Sequence, residues 1–170
     1  MPHLPRHPLP MLLAFVLLLL SAATSGAADT IDDSAALGEL QRGQGVFLVD
    51  IGDPNKLAFY LEVIEGTHAN LLRQDVEPDF VLVYIGPSVK YLTSAPDENL
   101  EFEHSEALSR IAASTQRLGE LGVRQEICAV ATRVFGIDNE TVLPDLTLVG
   151  DGFVSLIGWQ AQGYHLVPVF

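Results

Sequence analysis

The only cysteine in this 170-residue sequence, Cys128, is the side chain whose setting most invites chemistry. A thiolate is a nucleophile that attacks disulfides and accepts or passes on sulfane sulfur. The run Arg124-Gln-Glu-Ile-Cys-Ala-Val130 reads as a strand entering a helix that finishes near Phe135-Gly136. That placement sets the sulfur near a helix N-terminus, whose partial positive charge favours an anion. A small, apolar, inert cysteine buried in a strand is the competing reading of the same residue. Hydrolase chemistry would need a base folded back onto the thiol, and the spacing of His68, His104 and His165 does not provide one. Thioredoxin-type exchange lacks its CxxC, and Ser88 lacks a GxSxG context. The scattered histidines suggest no metal, and nothing in the sequence calls for a cofactor.

Three further loops bring polar groups or tight turns to strand ends: Asp50-Ile-Gly-Asp53, Gly86-Pro-Ser88 and Gly150-Asp-Gly152. None completes GxGxxG or GxxxxGK[ST], so a nucleotide site is not indicated. Their residue types are those of turns and caps, with Asp53 before Pro54 an N-cap followed by a helix-starting proline. Asp50, Gly86 and Gly152 are therefore expected to shape a pocket around Cys128 rather than to carry out chemistry.

The elements that position these residues follow from periodicity. Val46–Ile51 and Phe80–Ile85 are short apolar strands, each stopped by glycine and proline. Leu57, Leu61, Ile64, His68 and Leu72 recur at helical spacing and predict a helix over Pro54–Arg73. A lead-in helix is predicted around Ser34–Arg42, a short helix over Val89–Leu92, a polar loop over Ser94–Glu101 and a helix over Ser105–Leu121. Beyond Cys128, Leu146–Val149 is a fourth strand, Gly152–Gln162 a helix and His165–Val169 a last strand. Strands alternating with helices, and apolar on both sides, predict one α/β domain with a doubly wound parallel sheet of about five strands and helices on both faces.

The N-terminus reads differently. Arg6 precedes the apolar run Met11–Leu20 and the small-residue stretch Ser21–Ala28, the three parts of a cleavable secretory signal. The run is shorter than the roughly 20 apolar residues that span a bilayer. The predicted organisation is a signal over 1–28, a lead-in segment over 29–44 and a folded domain over 45–170, periplasmic or secreted, with no membrane span in the mature form. The net charge of −13, −14 once Arg6 is lost, repels phosphate backbones and makes nucleic acid an unsuitable partner. Without a disulfide framework the fold stands on its core. Apolar residues around Trp159 and at Val167–Phe170 suggest burial against a neighbouring subunit.

Several segments together resemble DsrE/DsrF-like domains. They are Val46–Ala58 with its long following helix, Val81–Val89, Leu121-Gly-Val123, Cys128, Phe135-Gly-Ile137, Val142-Leu-Pro144, Gly152–Ile157 and Gln162-Gly-Tyr164. The resemblance runs from about Gly45 to the C-terminus. It implies a parallel-sheet α/β fold, assembly as a homo-oligomer (trimer or hexamer), and sulfur handling, with Cys128 where these domains place a cysteine that holds sulfur as a persulfide. The expected partners are a sulfur donor and an acceptor. The segment Val149-Gly-Asp-Gly152 departs from the Pro-Ser-Gly of relatives, and an exported member would not share their cytoplasmic partners. The alternative is a non-catalytic oligomeric accessory module with a buried cysteine; an active enzyme would be a cysteine-dependent sulfur carrier or transferase.

Overall fold

The computed structural model describes residues 31–170, with Met1 and His3. The predicted signal therefore lies outside the described residues. The folded unit is Asp33–Phe170. A single turn, α1 (Ser34–Leu37), leads into β1 (Arg42–Val49), α2 (Pro54–Arg73), β2 (Glu77–Tyr84), a 3-10 helix over Gly86–Tyr91 and α3 (Glu98–Glu120). There follow β3 (Arg124–Cys128), α4 (Ala129–Phe135), a second 3-10 turn at Asn139–Thr141, β4 (Thr147–Val149), α5 (Gly152–Ala161) and β5 (His165–Val169). All four strand pairs are parallel, in the order β4-β3-β2-β1-β5. This is the five-stranded parallel sheet that alternating apolar strands and helices predict.

Several elements differ in extent from the sequence reading: β2 begins at Glu77 rather than Phe80, and the 3-10 helix at Gly86 rather than Val89. The lead-in helix stops at Leu37, where Gly38 takes positive φ (54°), and Arg42–Gly45 belong to β1 instead. Apolar patterning misses this extension because its side chains are Arg42, Gly43, Gln44 and Gly45. The loop expected over Ser94–Glu101 ends early, since Asp97 caps the amides of Asn99 and Leu100 and starts α3. His104 leaves the helical region (φ −133°, ψ 24°), so α3 bends where its apolar period begins.

The two sheet faces are distinct. Phe80, Leu82 and Tyr84 face α2 and α3: the Phe80 ring meets His68 edge-on at 5.9 Å, and Tyr84 donates to Gln125, which donates to the Thr115 carbonyl. Val83 and Ile85 face α5, beside Gly152. Leu57, Leu61, Ile111, Leu118 and the middle of β2 are fully buried between these layers. Arg110 and Arg117 of α3 each grip a glutamate of α2 (Glu62, Glu65) with two hydrogen bonds, tying the two helices together. At the free edge, the Val169 carbonyl accepts from Asp50 and so faces β1. By alternation Leu166 and Pro168 present their main chain outward, and Pro168 places its missing N–H where no strand pairs.

His68 makes stability depend on pH. Burial against Phe80 holds its imidazole pKa below the ordinary value, so as pH falls the unfolded chain binds the proton first. The contribution is complete above about pH 6.5 and is lost as pH drops below that value. The urea midpoint should fall between pH 7.5 and pH 5.5, above the carboxylate range, and His68→Phe should flatten that decline. An equal decline in both proteins would assign it to other groups.

Candidate functional site

Cys128 ends β3 and is the N-cap of α4, with the extended backbone (φ −76°, ψ 117°) of a cap. It is 5 % exposed. Its sulfur is not enclosed by hydrocarbon alone: the Gly152 amide, the first residue of α5, donates to Sγ at 3.2 Å. An N–H donor of this kind stabilises its acceptor more when the acceptor is charged. The sulfur accepts from the first amide of α5 but makes no side-chain cap bond into α4, and α5 is held there by its own cap, the Asp151 carboxylate accepting from Phe153.

Topology gives the position meaning. The chain steps from β1 to β4 in one direction, so right-handed connections carry α2, α3 and α4 over one face. From β4 it returns across the sheet to β5, and α5 covers the opposite face. The helices following β3 and β4 therefore diverge, and in open parallel sheets the crevice at such a divergence, outside the strands' carboxyl ends, is where ligands bind. Cys128 and Val149, register partners, occupy that point.

Gly152 is fixed by space. A Cβ there would lie 2.6 Å from Ile85 Cγ2, 3.1 Å from Cys128 Cβ and 3.4 Å from Val83 Cγ1. Gly86 is fixed twice: its φ is +54°, and a Cβ would collide with the Asp50 carboxylate. The four sequence-predicted site residues thus form two pairs, Cys128 with Gly152 and Asp50 with Gly86, and Ile85 stands between them. Beside the second pair, the buried Ser88 hydroxyl accepts from the Ile51 amide at 2.7 Å, and Tyr91 donates to the Gly52 carbonyl. Ser88 and Tyr91 are structural residues that sequence reasoning missed, because their roles depend on a loop 37–39 residues earlier in the chain. Among the described residues none of His68, His104 and His165 is hydrogen-bonded to the thiol. His68 packs on Phe80, His104 sits beside Glu103, and His165 begins β5 at the opposite end of the strands. The described residues also contain no cluster of three or more metal-ligating side chains.

Trp159 is partly buried, donating from Nε1 to Glu126 at 3.0 Å, with the Arg124 guanidinium 4.8 Å from its ring. The strongly exposed apolar side chains of α5 are instead Phe153, Val154 and Ile157, each more than 60 % exposed. No helix among the described residues is long and apolar enough to cross a membrane.

A parallel sheet with a thiol at its point of divergence defines a broad class of α/β proteins, and comparison narrows it. The model of the DsrE/DsrF-like family matches residues 45–169, and the chain belongs to that family. Among solved structures it is similar to a protein of unknown function from Methanobacterium thermoautotrophicum, with TM-score 0.58 and 18 % identity, over 75 % of this chain and 97 % of that one. It is likewise similar to the ychN protein from E. coli, with TM-score 0.54 and 15 % identity, over 74 % and 98 %. At these identities the two neighbours show the fold. No curated protein matches the chain.

Proposed function

We propose that the chain is an exported sulfur-handling protein that carries sulfane sulfur as a persulfide on Cys128. The observation that carries this reading is the Gly152 N–H donated to Sγ at the point where the helices diverge. Family membership supports the sulfur context, and the signal-like N-terminus supports export. In the loading step the Cys128 thiolate attacks the outer sulfur of a donor R–S–SH. The Cys–S bond to that sulfur forms as the donor S–S bond breaks, and the donor leaves as R–SH with the proton. One neutral sulfur atom moves, so no external oxidant or reductant is consumed. Asp50, Gly86 and Gly152 shape the surroundings, and Gly152 supplies an N–H for the charged sulfur.

The burial of Cys128 favours a second reading, a non-catalytic oligomeric module, in which the apolar face of α5 is an assembly surface. Mass spectrometry after polysulfide treatment of the native protein separates the two. Adduct of one sulfur atom that disappears in Cys128→Ser supports the carrier; an unmodified thiol that alkylates only after unfolding removes it. Self-association through α5, as a trimer or hexamer, should be lost in Ile157→Asp by light scattering, and an unchanged mass would exclude that face.

A further inference from the structure

A helix laid on a sheet ordinarily seats a broad apolar stripe on the core. Helix α5 does not. It carries no charged residue, yet Phe153, Val154 and Ile157 stand away from the sheet, each more than 60 % exposed. Its one buried apolar side chain is Leu156. What turns toward the sheet besides Leu156 is Gly152, Ser155 and Trp159, which lie three and four residues apart on one side of the helix. All three meet β3. Arg124, Glu126 and Cys128 alternate onto the α5 face of that strand, whereas Gln125 points to α3. The Cys128 sulfur accepts from the Gly152 amide at 3.2 Å, and the Arg124 guanidinium lies 4.8 Å from the Trp159 ring. Between them, the Glu126 carboxylate accepts from the Ser155 hydroxyl and, at 3.0 Å, from Trp159 Nε1.

We propose that Glu126 is a positioning residue for the sulfur site: by accepting from Ser155 and Trp159 it sets the roll and height of α5 so that the Gly152 N–H points at Sγ. Its value to function rests on the carrier reading, in which that N–H stabilises the charged sulfur. Glu126 stands two residues from Cys128, about 7 Å along the strand, and acts through the helix rather than on the sulfur. Its two donors come from successive turns of α5, so together they fix rotation as well as distance. A carboxylate holds such donors more firmly than a neutral acceptor would. Arg124 does not replace it, because its guanidinium is engaged with Asp79 and reaches only the far end of α5. Gly152 is the first residue of the helix, so its amide has no partner within α5. The residue is buried, and the sulfur is what satisfies that amide.

Hydrogen exchange of the Gly152 amide, followed by NMR, reads the bond directly and needs no sulfur donor. In Glu126→Ala that amide should exchange at least tenfold faster, while the amides at the centre of β2 keep their parent rates. Iodoacetamide should then reach Cys128 at least tenfold faster. Glu126→Gln, which still offers Trp159 an oxygen and Ser155 an N–H, should restore most of the Gly152 protection. Ser155→Ala combined with Trp159→Phe keeps the carboxylate, removes both donors, and should reproduce the alanine result. Cys128→Ala should lose the protection with Glu126 in place. Unchanged Gly152 exchange in Glu126→Ala or in the double variant would overturn the proposal. So would equal loss in glutamine and alanine, a matching loss at β2, or protection that survives Cys128→Ala. A thiol that takes up no sulfur would remove the carrier reading and leave these exchange rates as they are, so the two failures are distinct.

Discussion

Replacing Gly152 by valine is expected to lower the unfolding free energy by about 1–3 kcal/mol and to make Cys128 react with alkylating agents at least tenfold faster in the native state. The reason is space rather than backbone freedom, since Gly152 is not among the glycines with positive φ. Its missing Cβ would stand 2.6 Å from Ile85 Cγ2 and 3.1 Å from Cys128 Cβ. Both neighbours belong to buried residues at the ends of β2 and β3, and Val83 behind them is fully buried. A packed interior yields little to added methyl groups, so the first turn of α5 must lift. Lifting lengthens the 3.2 Å contact from the Gly152 amide to Sγ and admits solvent to the thiol. Alanine should do the same to a smaller extent. The denaturant midpoint and the iodoacetamide rate measure the two halves separately. A destabilised protein with an unchanged alkylation rate would mean that α5 does not gate access to Cys128.

The parts of this architecture that the sequence disclosed are those governed by local rules. Asp53 followed by Pro54 specifies a helix start, and the structure has the Asp53 carboxylate accepting from Lys56 there. The apolar run at Phe80–Ile85 lies in the most buried stretch of the sheet, where a parallel strand covered on both faces cannot alternate. Cys128 was legible as a cap because a strand pattern changes to a helical one at that residue. Its hydrogen bond was not, because Gly152 is 24 residues away and only the return of the chain across the sheet brings it there. The same limit applies at the strands' amino-terminal end. Nothing local in Arg42, Asp79, Arg124 and Tyr164 suggests that they meet, yet adjacent strands bring three of them together and the turn before β5 adds the fourth.

That cluster supports the second large effect. Asp79→Ala is expected to cost about 2–4 kcal/mol, because a carboxylate with 9 % side-chain exposure accepts from Arg42 at 2.9 Å, Arg124 at 2.5 Å and the Tyr164 hydroxyl at 2.7 Å. Charge-assisted bonds contribute more than neutral ones, but both guanidiniums are about half exposed and return to water, so the three contributions do not add in full. The loss extends beyond the pair. Arg124 is stacked 4.8 Å from Trp159 and 5.4 Å from Tyr164, and this packing ties the end of α5 and the start of β5 to β3. Tyr164 supplies a second readout, valid where Trp159 fluorescence shows the fold intact, since unfolding would also lower its phenol pKa. Burial first, then its bond to Asp79, raises its phenol pKa, whereas Arg124 lowers it. With Asp79 gone and Arg124 retained, the phenol should ionise at a lower pH than in the parent, measured by ultraviolet titration of the folded protein with Trp159 fluorescence as the check on packing. Asp79→Asn, which keeps an acceptor but removes the charge, should recover part of the stability while still lowering the phenol pKa. If alanine and asparagine cost the same and leave the Tyr164 titration unmoved, the carboxylate acts only as a space-filler between strands and the charge network contributes nothing.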